Sequence, residues 1–251
     1  MAILLQNAGL GNQLFMIFTS LSHALKKNKP LVIYDPYKRP KHRPAYWDTF
    51  LRQLQPFVSF SLPDKEPFQE SHFSEFRDIP TEVEVISGYF QNHRYFEDHA
   101  YAITDFIGIR EMQRALHLNL QPRNTSMHFR LGDYQTASRI GLDYYLRALT
   151  TLVSLKPISY VYFVYELADY KQVYMWIKSL HQHFPQITFL ELDQTLNDYQ
   201  TLLAMSRCEN NIISNSTFSW WGAYFNDFTD KTVITPKFLA DDASPSTWIT
   251  V

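Results

Sequence analysis

The sequence predicts an α/β protein with two parallel sheets, one in each half of the chain, and three observations carry that prediction. After Pro122, short apolar runs and amphipathic helical patterns alternate as far as residue 235. The amino terminus reads strand, helix, strand within its first 34 residues. Between the two regions the pattern breaks near 116–122. Strands that alternate with helices are joined by crossovers, which makes their sheet parallel and covers both of its faces. The expected division is 1–119 and 120–251, two Rossmann-like domains facing each other across a cleft.

With 251 residues, 45% of them hydrophobic and 19% charged, the chain can bury a core in each half. The formal net charge of -2 provides no cationic surface for nucleic acid, so an anionic ligand needs a local pocket. Cys208 is the only cysteine. That excludes an internal disulfide and fits a reducing compartment. No apolar run reaches the ~18 residues of a membrane span, and Met1 leads almost directly into a strand. A cytoplasmic chain with no membrane span is the expectation.

In order, residues 2–5 form a strand, and a helix follows in which Leu14, Phe15, Phe18, Leu21 and Leu25 share a face. Pro30 stops it, and 31–34 form a second strand. The turn between strand and helix places Gly9, Gly11 and the helix's first N–H groups together, an arrangement suited to an anion. It also imitates a dinucleotide fingerprint with Asp35 after the second strand, but Leu14 stands where that fingerprint needs a small residue. Residues 35–80 read as irregular loops with short helices. Their most basic part, Lys38, Arg39, Lys41, His42 and Arg43, is either an acceptor-contacting stretch or a solvated face. A strand at 84–86 runs into "GYFQNHRYF", where Gly88 permits a sharp turn and Tyr89, Phe90, Tyr95 and Phe96 are core or cleft wall. Helical segments follow through 105–116.

The second half reads strand 125–129, helix 143–155, strand 160–164, helix 169–180, strand 187–190, helix 198–207, strand 211–214, helix 218–226 and strand 232–235. His181 and His183 close one helix as exposed cations. No spaced His, Cys or carboxylate cluster specifies a metal, and Asp241 and Asp242 lie in a Pro/Ser-rich tail expected to be solvated. Two stretches carry chemistry. In "SMHFRLGDY" the strand alternation puts His128 and Arg130 on one side of the strand's end, and the planar fork of an Arg there matches a phosphate. The alternative for Arg130 is an ion pair with Asp133 inside the loop. In "IISNSTFSWWGAYF" a strand runs into Asn215, Ser216 and Thr217, which can cap the next helix while its first N–H groups point at a ligand. Trp220 and Trp221 are expected in the core.

The ordered set "GLGNQLF", "GYFQNHRYF", "HFRLGDY" and "NSTFSWWGAY" resembles the family-11 glycosyltransferases, the α-1,2-fucosyltransferases. The resemblance implies a GT-B architecture, GDP-L-fucose as donor, a glycan acceptor, inversion at the anomeric carbon, and no metal or other cofactor. It implies that Arg130 binds the β-phosphate and His128 lies by the nucleotide. Gly11, Asn12 and Gln13 would approach the diphosphate-sugar, Ser216, Thr217 and Phe218 would take the phosphates, and Asp198 would face the base or ribose. Asp133 is a candidate base by its location. The sequence departs from the family at Leu131, where a second arginine is usual, and at "YELAD" (165–169), where a Ser-Asp-Asp type loop is usual. Another GDP- or UDP-deoxysugar donor, a dinucleotide oxidoreductase built on Gly9, Gly11 and Asp35, and a silent sugar-nucleotide-binding module are the alternatives.

Overall fold

The computed structural model describes residues 1–37, 44–72, 74–132 and 140–251. The basic residues Lys38, Arg39, Lys41, His42 and Arg43, and the candidate base Asp133, lie outside them. The chain divides into two compact units, Met1–Met112 with Leu239–Pro245, and Gln113–Phe238 with Ser246–Val251. Sequence reasoning put the division at 119/120 and the whole tail in the second domain, whereas 239–245 return to the first unit.

The first unit holds β1 (Ala2–Leu4), α1 (Leu10–Lys27), β2 (Val32–Tyr34), β3 (Val58–Ser59), β4 (Phe68–Gln69), β5 (Val85–Ser87) and α2 (Ala100–Ile107); its boundary falls within α3 (Ile109–Ala115). Its sheet runs β3-β2-β1-β5-β4 with every pairing parallel. Ile3, Ile33 and Ile86 stand in register across the three central strands and are fully buried, so branched side chains fill the row at the sheet's middle. Leu14, Phe15 and Phe18 of α1 are fully buried, as expected. Leu25, expected on the same face, is 51% exposed. The cause is length: α1 has 18 residues and spans roughly 27 Å, whereas the three-residue strands span roughly 10 Å, so its last turn overhangs the sheet. The two-residue edge strands β3 and β4 lie where loops were expected, because two residues carry no periodicity.

The second unit holds β6 (Asn124–His128), α4 (Leu142–Leu155), β7 (Tyr160–Val164), α5 (Tyr170–His183), β8 (Thr188–Glu191), α6 (Asp198–Ser206), β9 (Asn210–Ile212), α7 (Thr217–Tyr224), β10 (Val233–Thr235) and β11 (Ile249–Thr250). Apart from the two-residue β11, these are the elements expected from sequence, displaced by at most a few residues. The sheet order is β11-β10-β9-β6-β7-β8, again parallel throughout. Trp220 and Trp221 are fully buried, and Trp220 packs on Tyr224 and Trp248. Gly222 lets α7 lie close on α6: a Cβ there would sit 3.1 Å from the Met205 Cβ. The architecture is therefore two α/β units, each with a parallel sheet covered by helices.

The returning segment 239–245 corrects one expectation. Asp242 is not merely solvated: it pairs with Arg94 at 2.7 Å and accepts an Asn92 side-chain N–H at 3.1 Å. The Ala240 N–H donates to Ser74 Oγ, and the His93 N–H to the Ala243 carbonyl.

Candidate active site

Each sheet has a point where the chain, having built outward from a central strand, returns to that strand's other side: β1 meets β5, and β6 meets β9. Flanking connections diverge there and leave a crevice beyond the strands' carboxyl ends, the place where open α/β sheets bind ligands. All four motifs singled out in the sequence end at one or other of these points.

In the second unit, His128 at the end of β6 bonds through Nδ1 to Ser214 Oγ, just beyond β9, at 2.8 Å. Its ring lies 5.7 Å from that of Phe218 in α7. This joins "HFRLGDY" to "NSTFSWWGAY". His128 is 3% exposed, and burial, helped by the Arg130 charge, holds its pKa at about 3. The imidazole is therefore neutral at neutral pH and keeps one N–H and one acceptor nitrogen. The strand ends are pinned from α4, where Tyr145 donates to the His128 carbonyl at 3.0 Å and Tyr144 to the Ile213 carbonyl at 2.6 Å. Burial pushes both phenols well above their ordinary value, so they remain donors.

Arg130 follows β6 with its side chain 23% exposed and forms an ion pair with Glu166 of the β7–α5 loop; Asp133, the partner considered from sequence, lies outside the described residues. The next two backbone N–H groups, of Leu131 and Gly132, both donate to Asp169 Oδ2 at 3.1 Å. The turn thus presents a guanidinium and two amides on one side. Ser216 occupies the N-cap of α7 in extended backbone, but its side chain makes no capping hydrogen bond. The expected capping by Ser216 is thus absent, in contrast to α6, where Asn197 and Gln200 form a complete capping box. Thr217 and Phe218 are the first two residues of α7, and Asp198 is the exposed first residue of α6, its Oδ1 on the Tyr199 N–H.

In the first unit the strands of the corresponding point are bridged by carboxamides and a hydroxyl among the described residues. Gln6 Nε2 donates to Ser87 Oγ at 2.6 Å across β1 and β5, and Gln91 Nε2 donates to Asn12 Oδ1 at 2.8 Å, joining "GLGNQLF" to "GYFQNHRYF". Gln13 is fully buried, and its amide donates to the Ala8 and Pro44 carbonyls at 2.9 Å, so it fixes the turn before α1. Gly9 caps α1 without a side chain, and Gly11 is buried in the first turn. Gly88 has φ +149°, and a Cβ there would lie 2.3 Å from the Glu70 Cβ. Glu70 Oε2 in turn accepts the Tyr89 and Phe90 N–H groups. Asp35 is 2% exposed and accepts the Trp47 indole N–H at 2.9 Å, so it is part of the core and not an exposed ribose reader. Among the described residues, no group of three or more His, Cys, Asp or Glu could hold a metal ion.

A neutral histidine, a guanidinium and a helix start at one switch point form a set suited to a diphosphate. Residues 160–247 match the model of glycosyl transferase family 11. Over that stretch the chain is similar to glycosyltransferase family 11. The O-antigen biosynthesis glycosyltransferase WbnK of Escherichia coli is 32% identical over 120 residues, which are 45% of this chain and 38% of that protein. The α-1,2-colitosyltransferase of Escherichia coli is 23% identical over 290 residues, covering 97% of this chain and 96% of that protein.

Sequence reasoning missed Glu166 and Asp169, the carboxylates against the Arg130 turn. The signal was the acidic "YELAD" loop, noted only as a departure. Ser214, Tyr144 and Tyr145 carried no signal, because a serine or tyrosine beside a strand end is ordinary until the strand neighbours are known. No helix among the described residues is long and apolar enough to cross a membrane.

Proposed function

We propose that the chain transfers L-fucose from GDP-L-fucose to a hydroxyl of a glycan acceptor, with a galactoside 2-hydroxyl as the first choice, inverting the anomeric carbon and needing no metal. The single observation that supports this reading most is the contact of His128, two residues before Arg130, with Ser214 and the start of α7 at the β6/β9 switch point. In the reaction a bond forms from the acceptor oxygen to the anomeric carbon. The bond from that carbon to the β-phosphate oxygen breaks, its electron pair stays on the phosphate, and the acceptor proton leaves. Negative charge therefore grows on the β-phosphate, and a guanidinium with helix-start N–H donors stabilises that charge most in the transition state. His128, Ser216, Thr217, Phe218 and Asp198 complete the donor side. Gly11 and Asn12 approach the sugar, with Gln13 fixing their turn, and Asp133 is the proposed proton acceptor.

A second reading is favoured by the name of the full-length relative, a colitosyltransferase. Colitose is L-fucose without its 3-hydroxyl, so the two donors present the same diphosphate and differ by one group on the sugar. The test incubates the protein with GDP-fucose, GDP-colitose, a UDP-deoxysugar and NAD, with galactoside acceptors and excess EDTA, and measures free nucleotide and product linkage. Release of GDP from GDP-fucose with an inverted product supports the first reading; turnover of GDP-colitose alone supports the second. Binding of GDP without turnover on any acceptor would make the chain a silent module, and a response to NAD alone would overturn the transferase reading.

A further inference from the structure

Among the described residues, the turn after β6 offers three donors that contact carboxylates of one loop: Arg130 meets Glu166, while the Leu131 and Gly132 N–H groups meet Asp169. Both carboxylates lie over Gly132, whose absent Cβ would be 3.4 Å from Glu166 Oε2 and 3.5 Å from Asp169 Oδ1. The two differ in how they are held. Asp169 is 9% exposed and bound to backbone, so it is a fixture of the turn. The Glu166 side chain is 48% exposed, on a loop whose next residues, Leu167 and Ala168, are also exposed. Its pair with Arg130 is of the half-solvated kind that contributes little stability.

We infer that Glu166 discriminates between the intact donor and the nucleotide product, weakening the hold on GDP more than the hold on the GDP-sugar. The inference rests on the proposed GDP-sugar donor. In the donor the terminal phosphate is esterified by the sugar. Once the sugar's C–O bond has broken, that phosphate gains an ionisable oxygen whose pKa is about 6, so at pH 8 free GDP carries one more negative charge. A carboxylate beside Arg130 stays within Coulomb range of any phosphate the guanidinium holds, and its repulsion scales with the ligand's charge. Asp169 fixes the shape of the turn, and Glu166 makes it release its more anionic occupant.

The test titrates the full chain and Glu166→Gln with GDP and with GDP-fucose at pH 8, without acceptor, after thermal melts confirm that the half-exposed substitution leaves the fold intact. Glu166→Gln is expected to tighten GDP about threefold to tenfold more than GDP-fucose, the scale of one unit charge about 6 Å away at an effective dielectric of ~40–80. GDP should become a correspondingly stronger product inhibitor. An equal change for both ligands, or weaker binding of both with slower single turnover, would overturn the inference and make Glu166 a positioning partner of Arg130. If the unaltered chain bound neither ligand, the GDP-donor reading itself would fail, and the inference with it.

Discussion

The two sheets share a plan and differ in the chemistry at their switch points. At β1/β5 the bridging groups are a carboxamide and a hydroxyl, Gln6 and Ser87, with Asn12 and Gln91 beside them. At β6/β9 they are an imidazole and a hydroxyl, His128 and Ser214, followed by Arg130. The backbone rule decides where a ligand can sit, and the side chains decide which one. Carboxamides exchange hydrogen bonds with hydroxyls at little cost, as a sugar requires; a cation near a helix start suits a diphosphate.

The largest effect that separates the two points is expected from Arg130→Lys. Lysine keeps the charge but loses the planar fork, so turnover should fall about 100-fold or more at saturating donor. Gln6→Ala should raise the acceptor KM with a much smaller change in kcat. Steady-state kinetics of both variants check this, and near wild-type turnover for Arg130→Lys would reduce that arginine to an ion-pair residue.

Next come the two turn glycines. Gly88→Ala forces a Cβ into 2.3 Å contact at φ +149°, and should cost about 2–4 kcal/mol. Gly132→Ala meets nothing closer than 3.4 Å and should cost under about 1 kcal/mol. Denaturant midpoints of the two variants would reverse this order only if the first unit's turn could shift away from Glu70.

The last effect is in acid. His128 has a folded pKa of about 3 against an ordinary 6.5, so its contribution to stability is whole above pH 6.5 and is lost as pH falls toward 3. His23 on α1, held at about 4 by burial and then by Lys27 and Lys26, acts likewise in the first unit. Each neutral histidine steepens the acid loss by up to about 1.4 kcal/mol per pH unit, the slope for one proton. His128→Asn should flatten the stability curve between pH 6 and 4, and an unchanged slope would mean that His128 titrates normally in the fold.

Much of this was legible beforehand because long alternating segments carry strong periodicity: the helices and strands of the second unit and the buried Trp220 and Trp221 follow from it. What could not be read depends on strand order. Neither the Gln6–Ser87 bond nor the His128–Ser214 bond can be inferred until β5 and β9 are known to return beside β1 and β6, at separations of 81 and 86 residues. Glu166 was hidden for the same reason, since only the pairing of β6 with β7 brings its loop to Arg130. Leu25 was misread because periodicity gives a helix its face but not the length of the sheet beneath it.

The most direct test of the central claim, that the β6/β9 switch point and not the β1/β5 one holds the diphosphate, is a titration of GDP into the unaltered chain, Arg130→Ala and Gln6→Ala. Arg130→Ala should weaken GDP about 10- to 100-fold, the scale for losing a charge-assisted hydrogen bond, and Gln6→Ala should leave the affinity within about twofold. GDP affinity unchanged by Arg130→Ala, or lost with Gln6→Ala, would contradict it.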